Sequence, residues 1–219
     1  VGVIAPGVDE AGKPHLPRLY SVSSPRDGER SNFNNLSLTV KREQDGVCSN
    51  YLCDLEQGDE VEITGPFGAT FLMPDDPEAR LLMICNGTGS APMRAFTMRR
   101  QRALGAKENA MVMFFGARRK NSLPYFGPLS KLPPDLIDQH LVYSREGDKA
   151  YVQDRMRQEE AKIAELLRDM RTHIYICGKR DMENGVMSAL DDIAKSTGLQ
   201  WDDLKEQMRE QGRYHVETY

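Results

Sequence analysis

The chain has 219 residues, a length that suits one large domain or two domains of about 100 residues each. Its hydrophobic share of 39% and charged share of 28% are ordinary for a folded protein, and the net charge of −4 argues against a nucleic-acid partner. No apolar run approaches the roughly 18 residues that a membrane span needs, and no charged-then-apolar leader opens the sequence. We therefore expect a cytoplasmic protein without a membrane or nucleic-acid partner.

Cysteine and histidine spacing argues against a metal site. The cysteines lack the spacing of a zinc or iron–sulfur motif, and the histidines show neither metal nor catalytic spacing. We expect reduced thiols, as in a cytosolic protein, and no bound metal. The residues concerned are Cys48, Cys53, Cys85, Cys177, His15, His140, His173 and His215.

The N-terminal part of the chain is rich in β signals and turn residues. Residues 1–7 read as a strand that runs into a turn, so we expect an upstream segment. Alternating apolar and polar residues predict half-buried strands at 36–40 and 59–64. A short helix is predicted at 50–55, with Ser49 as its N-cap.

A linker at 73–77 precedes a segment in which apolar runs alternate with amphipathic stretches. This alternation is typical of a parallel, doubly wound sheet flanked by helices. We predict a β domain over 1–78 and an α/β nucleotide-binding domain over 79–219. Its predicted strands are 81–85, 111–115, 141–143, 173–177 and 214–216, and its predicted helices are 91–103, 151–170, 182–195 and 201–211.

A glycine-rich turn, residues 86–92, joins the first of these strands to the first helix. Glycine lets the backbone approach a ligand closely, and the N-terminus of a helix offers free N–H groups to phosphate. The pattern is G-x-G-x-x-P rather than the full dinucleotide fingerprint. Phosphate binding is one reading, and a tight turn that needs glycine for steric reasons is the other.

Polar and charged residues follow the predicted strands at what should be one edge of the sheet. In an open α/β sheet, ligands bind at the carboxyl ends of the strands. The cations Arg145 and Lys149, the hydroxyl of Ser144 and the ring of Tyr151 suit a ribose phosphate and an adenine, which favours NADP over NAD. Further candidates at this edge are Ala117, Arg118, Gln153 and Gly178.

Motifs spread over the whole chain resemble those of the ferredoxin–NADP reductase superfamily. Arg18-Leu19-Tyr20-Ser21 is similar to its flavin motif R-x-Y-S, and residues 86–92 are similar to its nicotinamide turn. Other matching segments, in family order, are 46–52, 65–68, 144–146, 151–153, 177–178 and 216–219. The resemblance implies an antiparallel β-barrel FAD-binding domain, N-terminally truncated here, followed by a doubly wound NADP-binding domain.

On the flavin side, the resemblance implies roles for residues near the N-terminus. Arg18 would bind the FAD pyrophosphate, Tyr20 would pack on the isoalloxazine, and Ser21 would bond near the reactive nitrogen of the flavin. The remaining flavin-binding candidates are Leu19, Leu38, Val40, Lys41, Val47, Cys48 and Ser49.

On the nicotinamide side, the resemblance implies that Thr88, next to Gly89, lies between the flavin and the nicotinamide. Cys177 and Glu217 would shape the nicotinamide pocket, and Tyr219 would shield the flavin until the nicotinamide displaces it. The residues expected at the reaction itself are Ser21, Cys177, Glu217 and Tyr219.

Within the superfamily, the chain resembles the reductase component of benzoyl-CoA oxygenase (benzoyl-CoA 2,3-epoxidase). Segments 25–30, 114–118, 124–129 and 215–219 carry this resemblance. It implies electron flow from NADPH through FAD to an oxygenase component, and an upstream iron–sulfur domain. The alternatives are a ferredoxin–NADP reductase proper, and a non-enzymatic nucleotide-binding or electron-transfer module whose truncated barrel does not hold FAD.

Two positions depart from the superfamily pattern. Asn86 stands where threonine is usual before Gly87, and Lys179-Arg180-Asp181-Met182 stands for the usual L-K-G-M. The first change keeps a polar side chain, and the second removes a glycine from a loop expected to approach the cofactor.

Overall fold

The computed structural model describes residues 1–30, 33–103 and 110–219. The N-terminal part holds a three-stranded antiparallel sheet in the order β2-β1-β3. Its elements are β1 (Gly2–Ile4), β2 (Arg18–Leu19), helix α1 (Val47–Asp54) and β3 (Glu62–Thr64). Val3, Ala5 and Cys48 form a small buried core between β1 and α1.

Three local predictions for this part are corrected by the structure. Among the residues that the structure describes, 36–40 form no regular strand, and only Leu38 pairs, in an isolated bridge with Val22. The strand predicted at 59–64 is reduced to β3. Helix α1 begins at Val47 after Gly46 as N-cap, so Ser49 lies inside the first turn. The Ser49 hydroxyl donates to the Gly46 carbonyl at 3.2 Å instead of capping the helix.

The C-terminal part is a five-stranded parallel sheet in the order β6-β5-β4-β7-β8. This confirms the predicted doubly wound architecture, while the domain boundary after residue 78 stays a prediction. The strands are β4 (Arg80–Asn86), β5 (Met111–Ala117), β6 (Asp138–Tyr143), β7 (Thr172–Gly178) and β8 (Tyr214–Thr218). The helices are α2 (Ser90–Arg102), α3 (Phe126–Leu129), α4 (Val152–Gln158), α5 (Glu160–Arg168), α6 (Arg180–Ser196) and α7 (Trp201–Glu210).

The helix predicted at 151–170 is divided into α4 and α5. Glu159 leaves the helical conformation, with φ −99° and ψ 28°. Its carboxylate pairs with Arg155 at 2.6 Å and lies 3.6 Å from Lys162. Because α4 and α5 bury side chains in the same core, the apolar period of the sequence continues through the break.

Successive residues of the central strand point to opposite faces of the sheet, as the pleat requires. Leu82 and Ile84 pack into the core beneath α4–α7, whereas Leu81 and Met83 pack on the face of α2. This two-sided burial explains why the strands read as continuous apolar runs. No helix within the described residues is long and apolar enough to cross a membrane.

Candidate cofactor sites

A cavity of about 550 Å³ lies between the three-stranded sheet, the start of α1 and the glycine turn; we call it the flavin cavity. It brings together most of the predicted flavin-binding residues. Those that line it are Arg18, Leu19, Tyr20, Ser21, Lys41, Val47, Cys48, Ser49, Thr88 and Tyr219. Leu38 packs instead against the small core of β1 and α1, and Val40 is not in the lining.

The chemistry of the lining fits a phosphate-bearing ligand. The first turn of α1 is formed by Val47, Cys48 and Ser49, and no side chain in the described part of the chain caps this helix end. The free N–H groups and the helix dipole therefore favour an anion. Arg18, whose side chain is exposed, adds a positive charge to the same lining.

The lining also includes residues that the sequence did not single out. The Thr39 hydroxyl is buried and has no hydrogen-bond partner within the described part of the chain, which fits a polar ligand that would supply one. The signal was available, since threonine is the polar member between Leu38 and Val40 in the alternating stretch. The other additional lining residues are Ala5, His15, Leu16, Glu43 and Asp45, whereas Gly46 and Ala91 belong to the predicted segments 46–52 and 86–92.

Tyr20 is held in place beside the first turn of α1. Burial and a side-chain hydrogen bond to Cys48 raise the pKa of Tyr20, so its hydroxyl stays protonated at neutral pH. The Cys48 thiol in turn donates to the Val3 carbonyl at 3.7 Å. A flat ring is thus fixed at the wall of the flavin cavity.

The C-terminal residue, Tyr219, lies at the flavin cavity. The hydroxyl groups of Tyr219 and Thr88 lie 2.6 Å apart, and the ring of Tyr219 is exposed. The Tyr219 N–H donates to the Gly178 carbonyl at 3.0 Å, and the Arg180 N–H donates to the Tyr219 carbonyl at 3.4 Å. The last residue is therefore attached to the glycine turn and to the end of β7.

The glycine turn folds as a short 3-10 helix, Gly87–Gly89, that leads into α2. Gly89 packs directly against β7, since a Cβ added to it would lie 2.5 Å from the Cys177 carbonyl carbon. The steric reading of the turn thus holds at Gly89. Gly87 has a φ of 53° and open space around its Cα, so it leaves the turn accessible to a ligand.

Asn86, which departs from the superfamily pattern, connects the end of β4 to the end of β7. Its Oδ1 accepts the Lys179 N–H at 3.0 Å. A Cβ added to Gly178 would lie 3.1 Å from the Asn86 side-chain carbon, so this glycine makes room for the amide. The two departures, at Asn86 and at Lys179, therefore lie in contact with each other.

Cys177 and Glu217 face each other in the register of β7 and β8. Burial raises the pKa of Cys177 to about 12, and the charge of Glu217 adds to this, so the thiol is neutral. Burial also raises the pKa of Glu217, which is half-buried. A neutral thiol and a carboxyl group with a raised pKa therefore lie together at the ends of β7 and β8.

We expect the four cysteines to differ strongly in reaction with a thiol-alkylating reagent such as iodoacetamide. All are free thiols, but only Cys53 is exposed, whereas Cys48, Cys85 and Cys177 are buried. Because the thiolate reacts and burial disfavours it, native protein should be modified at Cys53 alone. Peptide mass mapping tests this, and rapid modification of Cys177 in native protein would contradict it. Unfolding in urea should expose all four.

A second group of predicted residues lies at the ends of β5 and β6. The Ser144 N–H donates to the Ala117 carbonyl at 3.0 Å, and the Arg145 N–H donates to the Arg118 carbonyl at 2.9 Å. The structure thus brings these loops together at the predicted edge, next to exposed Lys149. We call Ser144, Arg145 and Lys149 the phosphate cluster.

Two further predicted residues lie at the start of α4, beyond the phosphate cluster. Tyr151 is 57% exposed, so its ring is accessible to a ligand. Gln153 packs against Gly185 of α6, where a Cβ on the glycine would lie 2.7 Å from the amide carbon of Gln153. Gln153 is therefore engaged in helix packing.

Two family models match separate parts of the chain. Residues 9–71 match the Oxidoreductase FAD-binding domain family, and residues 83–188 match the Oxidoreductase NAD-binding domain family. The chain is 39% identical over 239 residues to the cyanelle ferredoxin–NADP reductase of Cyanophora paradoxa. It is 36% identical over 240 residues to the ferredoxin–NADP reductase of a Spirulina species.

A solved structure, the ferredoxin–NADP reductase of Plasmodium falciparum, superposes with a TM-score of 0.74 at 26% identity. It covers the whole of this chain, which spans 81% of that structure. The chain spans 66% of the Cyanophora protein, 58% of a Synechocystis relative and 82% of the Spirulina protein. The matches extend over both domains, and the chain belongs to the ferredoxin–NADP reductase family.

Proposed function

We propose that this protein is an NADPH-dependent flavoprotein reductase that passes electrons to a redox protein. The observation that carries the proposal is a contact at the flavin cavity. The hydroxyl groups of Tyr219 and Thr88 lie 2.6 Å apart there. Thr88 belongs to the glycine turn, and this contact supports a close spacing of the two cofactors. Hydride transfer between nicotinamide and flavin is the chemistry that NADPH and FAD would supply when bound.

The residues of the chain bind and orient the two cofactors. Arg18 and the first turn of α1 would hold the flavin phosphates, and the Thr39 hydroxyl, which has no partner within the described residues, would gain one. Tyr20 and the exposed Tyr219 both line the cavity, so their rings would form the walls against which the flavin binds. Cys177 forms part of the nicotinamide pocket as a neutral thiol.

The electron acceptor that the comparisons favour is ferredoxin rather than an oxygenase component. The similar proteins are named ferredoxin–NADP reductases. Part of the segment that resembles the benzoyl-CoA oxygenase reductase has a structural role here. The Gly28 and Glu29 carbonyls accept hydrogen bonds from Arg102 of α2, and Asp27 pairs with Arg102 at 2.9 Å.

The acceptor is tested by comparing NADPH oxidation by FAD-loaded protein with ferredoxin and with the oxygenase component of a benzoyl-CoA epoxidase. The proposal predicts sustained oxidation with ferredoxin and little stimulation by the oxygenase component. Stimulation by the oxygenase component, with benzoyl-CoA turnover, would instead support the oxygenase assignment. Failure to retain FAD would favour a non-enzymatic nucleotide-binding module. An upstream iron–sulfur domain and a cytoplasmic location stay predictions from the sequence.

A further inference from the structure

Helix α2 starts at the glycine turn and belongs to the nucleotide domain, our name for the part matched over residues 83–188. It carries an arginine that reaches into the flavin domain, the part matched over residues 9–71. Arg94 Nη1 donates to the Ser23 carbonyl at 2.9 Å and to Glu29 Oε2 at 3.0 Å, and its Nη2 donates to Glu29 Oε1. The side chains of Arg94 and Glu29 are 20% and 34% exposed. This two-pronged pair is therefore shielded enough to be stronger than a surface ion pair.

Glu29 is itself tied to the interior of the flavin domain. The Ser37 hydroxyl donates to Glu29 Oε2 at 2.8 Å, and the Ser37 carbonyl accepts the Ser23 hydroxyl at 2.9 Å. The Ser24 hydroxyl accepts the Ser37 N–H at 3.0 Å. Ser23 and Ser24 are 1% and 4% exposed, so these polar groups depend on one another for hydrogen bonds.

An aromatic ring lies against the Arg94 guanidinium, whose N–H groups bond Ser23 and Glu29. The Arg94 guanidinium carbon lies 5.0 Å from the centre of the Tyr125 ring, a cation–π distance. Tyr125 comes from the connection between β5 and β6. Arg94 is thus fixed on one side by the flavin domain and on the other by the nucleotide domain.

The residues of this network are close in sequence to two predicted cofactor-binding segments. Ser23 follows the flavin motif 18–21 by two residues. Helix α2 follows Gly87–Gly89 directly, and Arg94 lies in its first turns. The network therefore connects the segment that carries Tyr20 and Ser21 to the turn that carries Thr88. Reaction between two bound cofactors depends on their spacing, and a displacement of about 1 Å can cost a hundredfold in rate.

We propose that Arg94 and Glu29 are positioning residues that fix the distance between the flavin cavity and the nucleotide turn. The proposal rests on the proposed function, because it assigns a role to the spacing of the two cofactor sites. Neither residue lines the flavin cavity, so both act through Ser23 and helix α2. Loss of the pair should affect turnover more than NADPH binding, since each site remains intact within its own domain.

The test compares Arg94→Met, Arg94→Lys and Glu29→Gln with Arg99→Met as the matched control. Arg99 lies on the same helix and also pairs with a carboxylate, but its partner Asp75 is 95% exposed. Measured are kcat and KM for NADPH with ferricyanide as acceptor, the Tm, and amide hydrogen exchange of the ligand-free protein.

We expect Arg94→Met to lower kcat by about tenfold to a hundredfold, with KM for NADPH changed by less than about threefold. The kcat of Arg94→Lys should lie between those of Arg94→Met and native protein, because an ammonium group cannot make the two-pronged contact. Amides of 21–24 and 87–90 should exchange faster in Arg94→Met without any ligand. The control Arg99→Met should match native protein in all measurements.

The proposal would be overturned if Arg94→Met kept the kcat of native protein. It would also be overturned if Arg94→Met and Arg99→Met lowered kcat equally. A rise in KM that accounts for the whole loss would do the same, because it would locate the effect in NADPH binding. If Arg94→Met does not fold, Arg94→Lys and Glu29→Gln decide the question by the same measurements. If native protein oxidises no NADPH, the proposed function fails, and the exchange data still decide whether the network connects the domains.

Discussion

Replacing Arg145 with alanine is expected to weaken the binding of NADPH far more than the binding of NADH. Arg145 is exposed and makes no ion pair with any residue in 1–30, 33–103 or 110–219, so its charge is free to meet a phosphate. A hydrogen bond to a charged group contributes about 1.5–3 kcal/mol, which corresponds to a rise of about 10- to 150-fold in KM for NADPH. Because NADH lacks the extra phosphate, its KM should change by less than about twofold.

Steady-state kinetics with both cofactors measures this difference directly. Arg145→Lys should retain part of the preference, since lysine keeps the charge but loses the fork of donors. Arg168→Ala is the control, because Arg168 is an exposed arginine on α5 that bonds only the Thr197 carbonyl among the described residues. An equal loss for NADPH and NADH in Arg145→Ala would contradict the assignment of Arg145 to the phosphate cluster.

Gly89→Ala is expected to destabilise the protein and to abolish binding of the dinucleotide. The added Cβ would lie 2.5 Å from the Cys177 carbonyl carbon and 2.8 Å from the Gly178 nitrogen. Both are backbone atoms of β7, so the contact cannot be relieved by rotating a side chain. Overpacking of this kind costs about 1–3 kcal/mol or more, and relieving it must move the turn that carries Thr88.

Urea unfolding and calorimetric titration with NADP⁺ test the two halves of this prediction. Gly127→Ala is the matched control, since Gly127 is exposed in helix α3 and has no atom within 4 Å of the added Cβ. The control should keep NADP⁺ binding and change stability by less than about 1 kcal/mol. Native stability together with native binding in Gly89→Ala would show that the close contact between the turn and β7 is not essential.

The parallel sheet could be predicted from the sequence because each strand is buried on both faces. Residues 81–85 form a continuous apolar run, and alternate members supply two different cores. The break at Glu159 was not predictable in the same way, because α4 and α5 bury the same face and the apolar period is uninterrupted. Hydrophobic period identifies a buried face and not the path of the backbone between two helices.

The N-terminal part was predicted less well for a related reason. The alternation in 36–40 predicts one buried and one open face, yet the segment pairs only through Leu38. Alternation reports burial, and it does not identify a neighbouring strand. Ser49 resembled a cap because it precedes a helical stretch, but Gly46 already marks the start of α1.

The candidate site was predictable where a local motif carries the chemistry. The motif 18–21 and the first turn of α1 both line the flavin cavity, as expected. The contact of Tyr219 with Thr88 joins residues 131 positions apart, and only the resemblance to a family suggested it. The pair of Arg94 and Glu29, 65 positions apart, has no signature in the sequence, since each residue alone reads as a solvated charge.

We propose that the flavin cavity and the nucleotide site lie close enough for the cofactors bound in them to react. Anaerobic titration of the FAD-reconstituted protein with NADPH, followed by visible absorbance, tests it most directly. The structure predicts that FAD is retained through gel filtration and that its visible absorbance is lost as NADPH is added in stoichiometric amounts. Protein that elutes without FAD, or bound FAD that keeps its absorbance in excess NADPH, would contradict the claim.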